Sequence, residues 1–150
     1  MRTVIQRVSH ASVTIDGCVH GSIQQGFLIL LGIEPSDTEA DADWLAKKAA
    51  GLRIFDDEKG VMNRDIVSIG GNALVVSQFT LMASYKKGNR PSYLRAAGHD
   101  ITMPLYEYFC QRLSETIGNQ VETGVFGADM KVELLNDGPV TICMDTKNKE

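Results

Sequence analysis

Two short segments carry the residue types best able to do chemistry, Ser77-Gln78-Phe79-Thr80 and Asn136-Asp137-Gly138-Pro139-Val140-Thr141. The first follows the apolar run Ala73-Leu74-Val75-Val76, so it sets hydroxyls, a carboxamide and backbone N–H groups at a strand's end. The second places Gly-Pro between two strand-like runs, Lys131 to Leu135 and Val140 to Met144. Proline removes a backbone donor and glycine weakens strand packing, so the pair breaks a ladder and frees neighbouring polar groups. Neither segment holds a nucleophile beside a general base, and no His or acid adjoins Thr80 in sequence. What remains is main-chain chemistry. Amides near Phe79 and Thr80 can receive a developing oxyanion, where one donor is worth about 2.7–4 kcal/mol.

Other chemistries lack their residues. The chain has no G-x-S-x-G, H-E-x-x-H, G-x-x-x-x-G-K-[ST] or G-x-G-x-x-G pattern. His10, His20 and His99 join no cluster at ligand spacing, and neither a metal nor another cofactor is expected. The acidic turn Asp56-Asp57-Glu58 reads as solvated. Cys18, Cys110 and Cys143 show no C-x-x-C spacing, which fits reduced thiols in a cytoplasmic protein. The longest apolar stretch, Phe27 to Ile33, falls well short of the ~20 residues that span a bilayer, so no membrane partner is expected. A net charge of −4 argues against broad coating of nucleic acid, while leaving room for a grip on one end of it. Lys86-Lys87-Gly88-Asn89-Arg90 is the one basic cluster, either a solvated turn or a phosphate contact at a loop tip.

The elements that must position these residues follow from pattern. One hundred and fifty residues suit a single domain, 1–150. Arg2 to Ile15, an Asp16-Gly17 turn and Cys18 to Ile23 form a hairpin, and Phe27 to Leu31 is a buried strand. Trp44, Leu45, Lys48, Ala49 and Leu52 recur at helical spacing behind the cap candidates Asp37 and Thr38, predicting a helix over 38–51. Arg53 to Phe55 is a short strand, Met62-Asn63 lies in a loop, and Asn72 to Phe79 is another buried strand. Met103-Pro104 opens a second helix that Gly118 ends. Val121 to Phe126 and Lys131 to Met144 complete the sheet. The expected class is α+β: a mostly antiparallel curled sheet or open barrel of seven or eight strands, with two main helices packed outside.

Read together, the motifs resemble the D-aminoacyl-tRNA deacylase family. The likeness runs through Gln6-Arg7-Val8, Gly26-Phe27-Leu28, Leu30-Leu31-Gly32, Leu52-Arg53-Ile54-Phe55 and Met62-Asn63. It continues through Val76-Ser77-Gln78-Phe79-Thr80-Leu81 and Lys87-Gly88-Asn89-Arg90-Pro91-Ser92 to Asn136-Asp137-Gly138-Pro139-Val140-Thr141. Tyr93 to Met103 and Val61 depart from the usual pattern. The resemblance implies a metal-free homodimeric hydrolase, acting on the ester between a D-amino acid, or mischarged glycine, and the 3′-terminal adenosine of tRNA. It implies a cis peptide at Gly138-Pro139 that enters the partner's site above Ser77, Gln78, Phe79 and Thr80, and no DNA partner. Arg7 is then a candidate brace for the Gly-Pro motif, and Phe126 and Met130 are candidate pocket walls. A non-catalytic module that binds nucleic-acid ends on the same dimeric fold is the alternative.

Overall fold

The computed structural model describes residues 1–150. In chain order the elements are β1 (Arg2–Ile15), β2 (Cys18–Ile23), β3 (Gly26–Gly32), α1 (Glu39–Ala50), β4 (Phe55–Asp56), β5 (Met62–Arg64) and β6 (Asn72–Ser77). A 3₁₀ helix (Phe79–Met82), α2 (His99–Ile117), β7 (Glu122–Thr123) and β8 (Lys131–Asp145) follow.

β1 organises the sheet. Its length lets it serve three partners: β3 along Arg2 to Val8, β2 along Ala11 to Ile15, and β8 on its other edge. All three pairings are antiparallel, whereas β3–β6 and β6–β7 are parallel. A strand paired this way curls the sheet into an open barrel, and β4–β5 stands apart as a small ribbon.

The curl creates two cores. Phe27, Ile29 and Leu31 of β3, with Ala73 and Val75 of β6, face Leu45 and Ala49 of α1 and Phe109 and Leu113 of α2. The alternate residues Leu28, Leu74 and Val76 turn into the curl, where they meet Val8, Ala11, Val13 and Ile23. This explains why β3 and β6 read as unbroken apolar runs: both faces of each strand are covered. Each fully buried side chain of this size stabilises by roughly 1.5–3 kcal/mol.

The first helix agrees with its pattern. Asp41 accepts hydrogen bonds from the Thr38 amide (2.9 Å) and hydroxyl (3.1 Å), fixing the N-terminus, and Gly51 ends the helix. Nearby, the buried α-ammonium of Met1 donates to Asp37 (2.5 Å) and to the Thr146 hydroxyl (2.8 Å), tying both chain ends to the turn before α1.

Four expectations need correction. α2 begins at His99, because the amides of Ile101 and Thr102 already close onto the Gly98 carbonyl (3.2 and 2.9 Å). Pro104 therefore sits inside the helix, where its missing N–H deprives the Asp100 carbonyl of its usual donor. The strand expected to reach Phe79 ends at Ser77, and Phe79 and Thr80 belong to the 3₁₀ turn. The strand expected over 121–126 shrinks to Glu122–Thr123, and Met62 and Asn63, read as loop, belong to β5, where Met62 pairs with Asp56.

Candidate active site

β6 delivers the first candidate segment. Ser77 is its last residue, paired with Leu31, and the Gln78 amide donates to the Leu31 carbonyl (2.8 Å). The chain then tightens into the 3₁₀ helix, whose first internal bond runs from the Leu81 amide to the Gln78 carbonyl (3.2 Å). The amides of Phe79 and Thr80 precede that bond and have no partner within the helix. Two adjacent main-chain donors are thus left over at the end of a buried strand. The Gln78 carboxamide donates to the Thr80 hydroxyl, which holds that hydroxyl by an amide and not by a base.

The seat beneath this turn depends on Gly32. A Cβ there would lie 3.0 Å from Leu81 Cβ and 3.1 Å from the Gln78 carbonyl oxygen, so any side chain would push the turn a few tenths of an ångström off the end of β3. Behind it, the Tyr106 hydroxyl donates to the Val75 carbonyl (2.7 Å), pinning α2 to β6. Burial, as the leading cause, raises the Tyr106 phenol far above its ordinary range, which keeps it a donor. From below, the Arg2 guanidinium reaches the Leu81 carbonyl (3.4 Å) and pairs with Asp145 (2.7 Å).

The second segment is not a gap between two strands but a bulge within one. β8 is continuous, yet its register jumps from Val8↔Asn136 to Gln6↔Thr141, so Asp137 to Val140 bow out opposite the single residue Arg7. Asn136 closes the base of the bow, its carboxamide donating to the carbonyls of Arg7 (3.2 Å) and Val140 (3.0 Å). Arg7 is buried, and its guanidinium donates to the carbonyls of Asp137 (2.8 Å) and Ile54 (2.6 Å). Its guanidinium therefore lies against the residue that precedes Gly138. The Gly138–Pro139 peptide is cis, and both residues are exposed at the crown.

A single chain does not join the two segments. No hydrogen bond or ion pair runs between them; the Arg2 guanidinium reaches the 3₁₀ turn and the Arg7 guanidinium the bulge, from positions five residues apart on β1. Met130 stands near the first segment, half-buried on the inner core and above Gly124, whose amide donates to Val75 (3.2 Å). Phe126 lies farther round, its ring 5.1 Å from that of His99, at an opening it shares with Met103 and Tyr106. Of the cysteines, Cys18 and Cys143 are exposed, and burial pushes the Cys110 thiol up to about 12, so it stays protonated.

Three contributors lie in segments the sequence singles out but have roles it did not assign. Gly32 acts by absence, and Asn136 acts by closing the bow. Tyr93, whose ring lies 5.1 Å from Phe79 in an edge contact, comes from the stretch that departs from the family pattern.

Comparison with known proteins extends the likeness over the whole chain. A family model described as D-Tyr-tRNA(Tyr) deacylase matches residues 4–145. A D-aminoacyl-tRNA deacylase of Phocaeicola vulgatus is 71% identical over 150 residues, covering 100% of both chains, and that of Bacteroides thetaiotaomicron is 67% identical over the same span. Among solved structures, one described as the c-Myc DNA Unwinding Element Binding Protein superposes with a TM-score of 0.91 at 37% identity, covering 97% of this chain and 98% of that one. A probable eukaryotic D-amino acid tRNA deacylase shares the fold, with a TM-score of 0.81 at 15% identity, covering 95% and 97% of the two chains.

Proposed function

This chain belongs to the D-Tyr-tRNA(Tyr) deacylase family, and from that premise we propose that it hydrolyses the ester joining a D-amino acid to the 3′-terminal adenosine of tRNA. The supporting observation is the pair of unpartnered amides at Phe79 and Thr80, seated on Gly32 at the end of a buried strand. Water attacks the ester carbonyl, and the oxygen that gains charge is received by these donors. The C–O bond to the ribose then breaks, and the departing 3′ oxygen takes a proton, leaving free amino acid and tRNA. The neighbouring 2′-hydroxyl assists, as the family resemblance implies. The ester is already activated, so positioning and two fixed dipoles are a sufficient catalytic apparatus.

Handedness is assigned to Gly138 and Pro139 of a second copy of this chain. They are exposed and held from behind by Arg7 and Asn136, which leaves them free to meet a second chain. Their carbonyls accept from the substrate's α-amino group and leave no room for an L side chain, which rejects by exclusion. Glycine has no side chain to exclude, so glycyl-tRNA is a substrate too. Met130 is assigned to the wall of the pocket and Phe126, farther round, to its outer edge, and the enzyme works as a homodimer in the cytoplasm on the 3′ end of its tRNA. No helix of the chain is long and apolar enough to cross a membrane.

Incubation with D-tyrosyl-tRNA and L-tyrosyl-tRNA tests this directly. Rapid loss of the D-ester alone is expected; equal stability of both esters defeats the proposal. The relative described as a DNA-unwinding-element binding protein favours a second reading, a module that grips nucleic-acid ends without hydrolysis. That reading predicts retention of the RNA with the D-ester intact.

A further inference from the structure

The acidic character of this protein is not spread evenly. All 19 Asp and Glu residues lie outside the stretch Ile66 to His99, which contains Lys86, Lys87, Arg90 and Arg95. That stretch also carries the 77–80 segment. Arg95 pairs with Glu34 (3.6 Å), but Lys86, Lys87 and Arg90 form no ion pair. They sit on a loop pinched at its neck by a reciprocal pair of bonds, Ser84 amide to Ser92 carbonyl and Ser92 amide to Ser84 carbonyl, both 2.8 Å. The pinch aims three unneutralised cations outward from a protein of net charge −4.

Aromatic faces accompany the charges. Tyr85 is 79% exposed, Tyr93 39% and Phe79 52%, and Phe79 and Tyr93 touch, so the patch continues into the candidate site. Bare cations beside exposed rings are what a single strand of nucleic acid requires: charge for the phosphates and flat surfaces for unstacked bases. The distance is also suitable. Lys86 follows Thr80 by six residues, so its backbone lies at most about 20 Å from Thr80, within reach of the nucleotides next to a terminal one held at the 77–80 turn.

Resting on the proposed deacylase activity, we infer that the loop from Ser84 to Ser92 is a subsite for the unpaired RNA strand that leads to the terminal nucleotide. Lys86, Lys87 and Arg90 take its phosphates, and Tyr85 and Tyr93 receive its bases. The loop binds the RNA and has no part in breaking the ester.

The triple variant K86Q/K87Q/R90Q tests this against two esters, D-tyrosyl-tRNA and D-tyrosyl-adenosine, which has no upstream phosphate. The expected result is a fall of at least tenfold in kcat/KM on the tRNA, carried by KM, with no change on the adenosine ester. The salt dependence of KM on tRNA should flatten by about two in the log–log slope, from about 0.7 per lost contact. An unchanged KM on tRNA, or an equal loss on both esters, overturns the inference. Wild-type protein that cleaves neither ester would sink the activity but not the subsite. The anisotropy of a labelled single-stranded RNA ending in CCA then decides, with the triple variant expected to bind at least tenfold more weakly. Equal binding by both proteins overturns the inference.

Discussion

At Phe79 the main chain can be changed almost independently of the fold, because this residue opens a 3₁₀ turn where proline is tolerated. Phe79→Pro deletes one amide donor and leaves the turn's own bonds in place. Its kcat on D-tyrosyl-tRNA should fall by about 10²–10³, the usual cost of one oxyanion donor, whereas Phe79→Leu keeps the amide and most of the rate. In contrast, Thr80→Ala should retain substantial activity with folding intact; complete loss would restore a threonine nucleophile to consideration. Gly138 makes a different demand. Its φ is 136°, and an added Cβ would lie 2.8 Å from Val140 Cγ2 and 2.9 Å from the Arg7 guanidinium. Gly138→Ala should cost about 1–3 kcal/mol, seen as a drop of several degrees in Tm. If the Gly-Pro crown only sealed an interface, the same change would alter dimer mass without creating cleavage of L-tyrosyl-tRNA. These site residues were legible as types in a pattern. Their conformations were not, since Gly32 and Asn136 act through contacts made by residues distant in the chain.

Among the elements, α1 was readable because its signals are local: a cap, acids before lysines, and apolar residues at one period. Asp41 does more than cap. Burial pushes its carboxyl up, but hydrogen bonds from Lys147, Thr146 and Thr38 outweigh this and hold it well below the ordinary carboxylate range. A depressed carboxyl stabilises the fold fully above the unfolded value near ~3.9, and that stability is lost as pH falls through the folded value. Asp41→Asn should therefore lower Tm by a few degrees at pH 7, with the gap between variant and wild type closing below about pH 4. Thermal melts across this range check it. The second helix misled for an equally physical reason. Pro104 carries a strong start signal, but Gly98, Thr102 and the packing of Phe109 and Leu113 set the true start a turn earlier. The bulge at Asp137 to Val140 was visible as a break, yet its depth depends on Arg7, 130 positions away.

For the whole molecule, the separation of the two segments along β1 has a direct assembly test. A chain lacking Gly138 and Pro139 and a chain carrying Phe79→Pro should each be nearly inactive. Mixed, unfolded and refolded together, they should regain activity, because a heterodimer contains one intact pairing of an unaltered turn with an unaltered crown. No recovery, despite heterodimers seen by native mass spectrometry, would place both segments in the same chain's site. The curled sheet itself was foreseeable from alternating and continuous apolar runs. That β1 serves three strands was not, since pairing partners are set by the closed sheet and not by β1's own residues.

The reciprocal bonds between Ser84 and Ser92 have a consequence for how such a protein can diversify. A segment closed at its own neck by its own backbone bonds can lengthen or change composition at its tip without breaking a bond to the barrel. Each doubling of length costs only about 0.6 kcal/mol in closure entropy. If the loop is the RNA subsite inferred above, preference among tRNA species is retuned by exchanging this one cassette, leaving the 77–80 turn and the scaffold beneath it untouched.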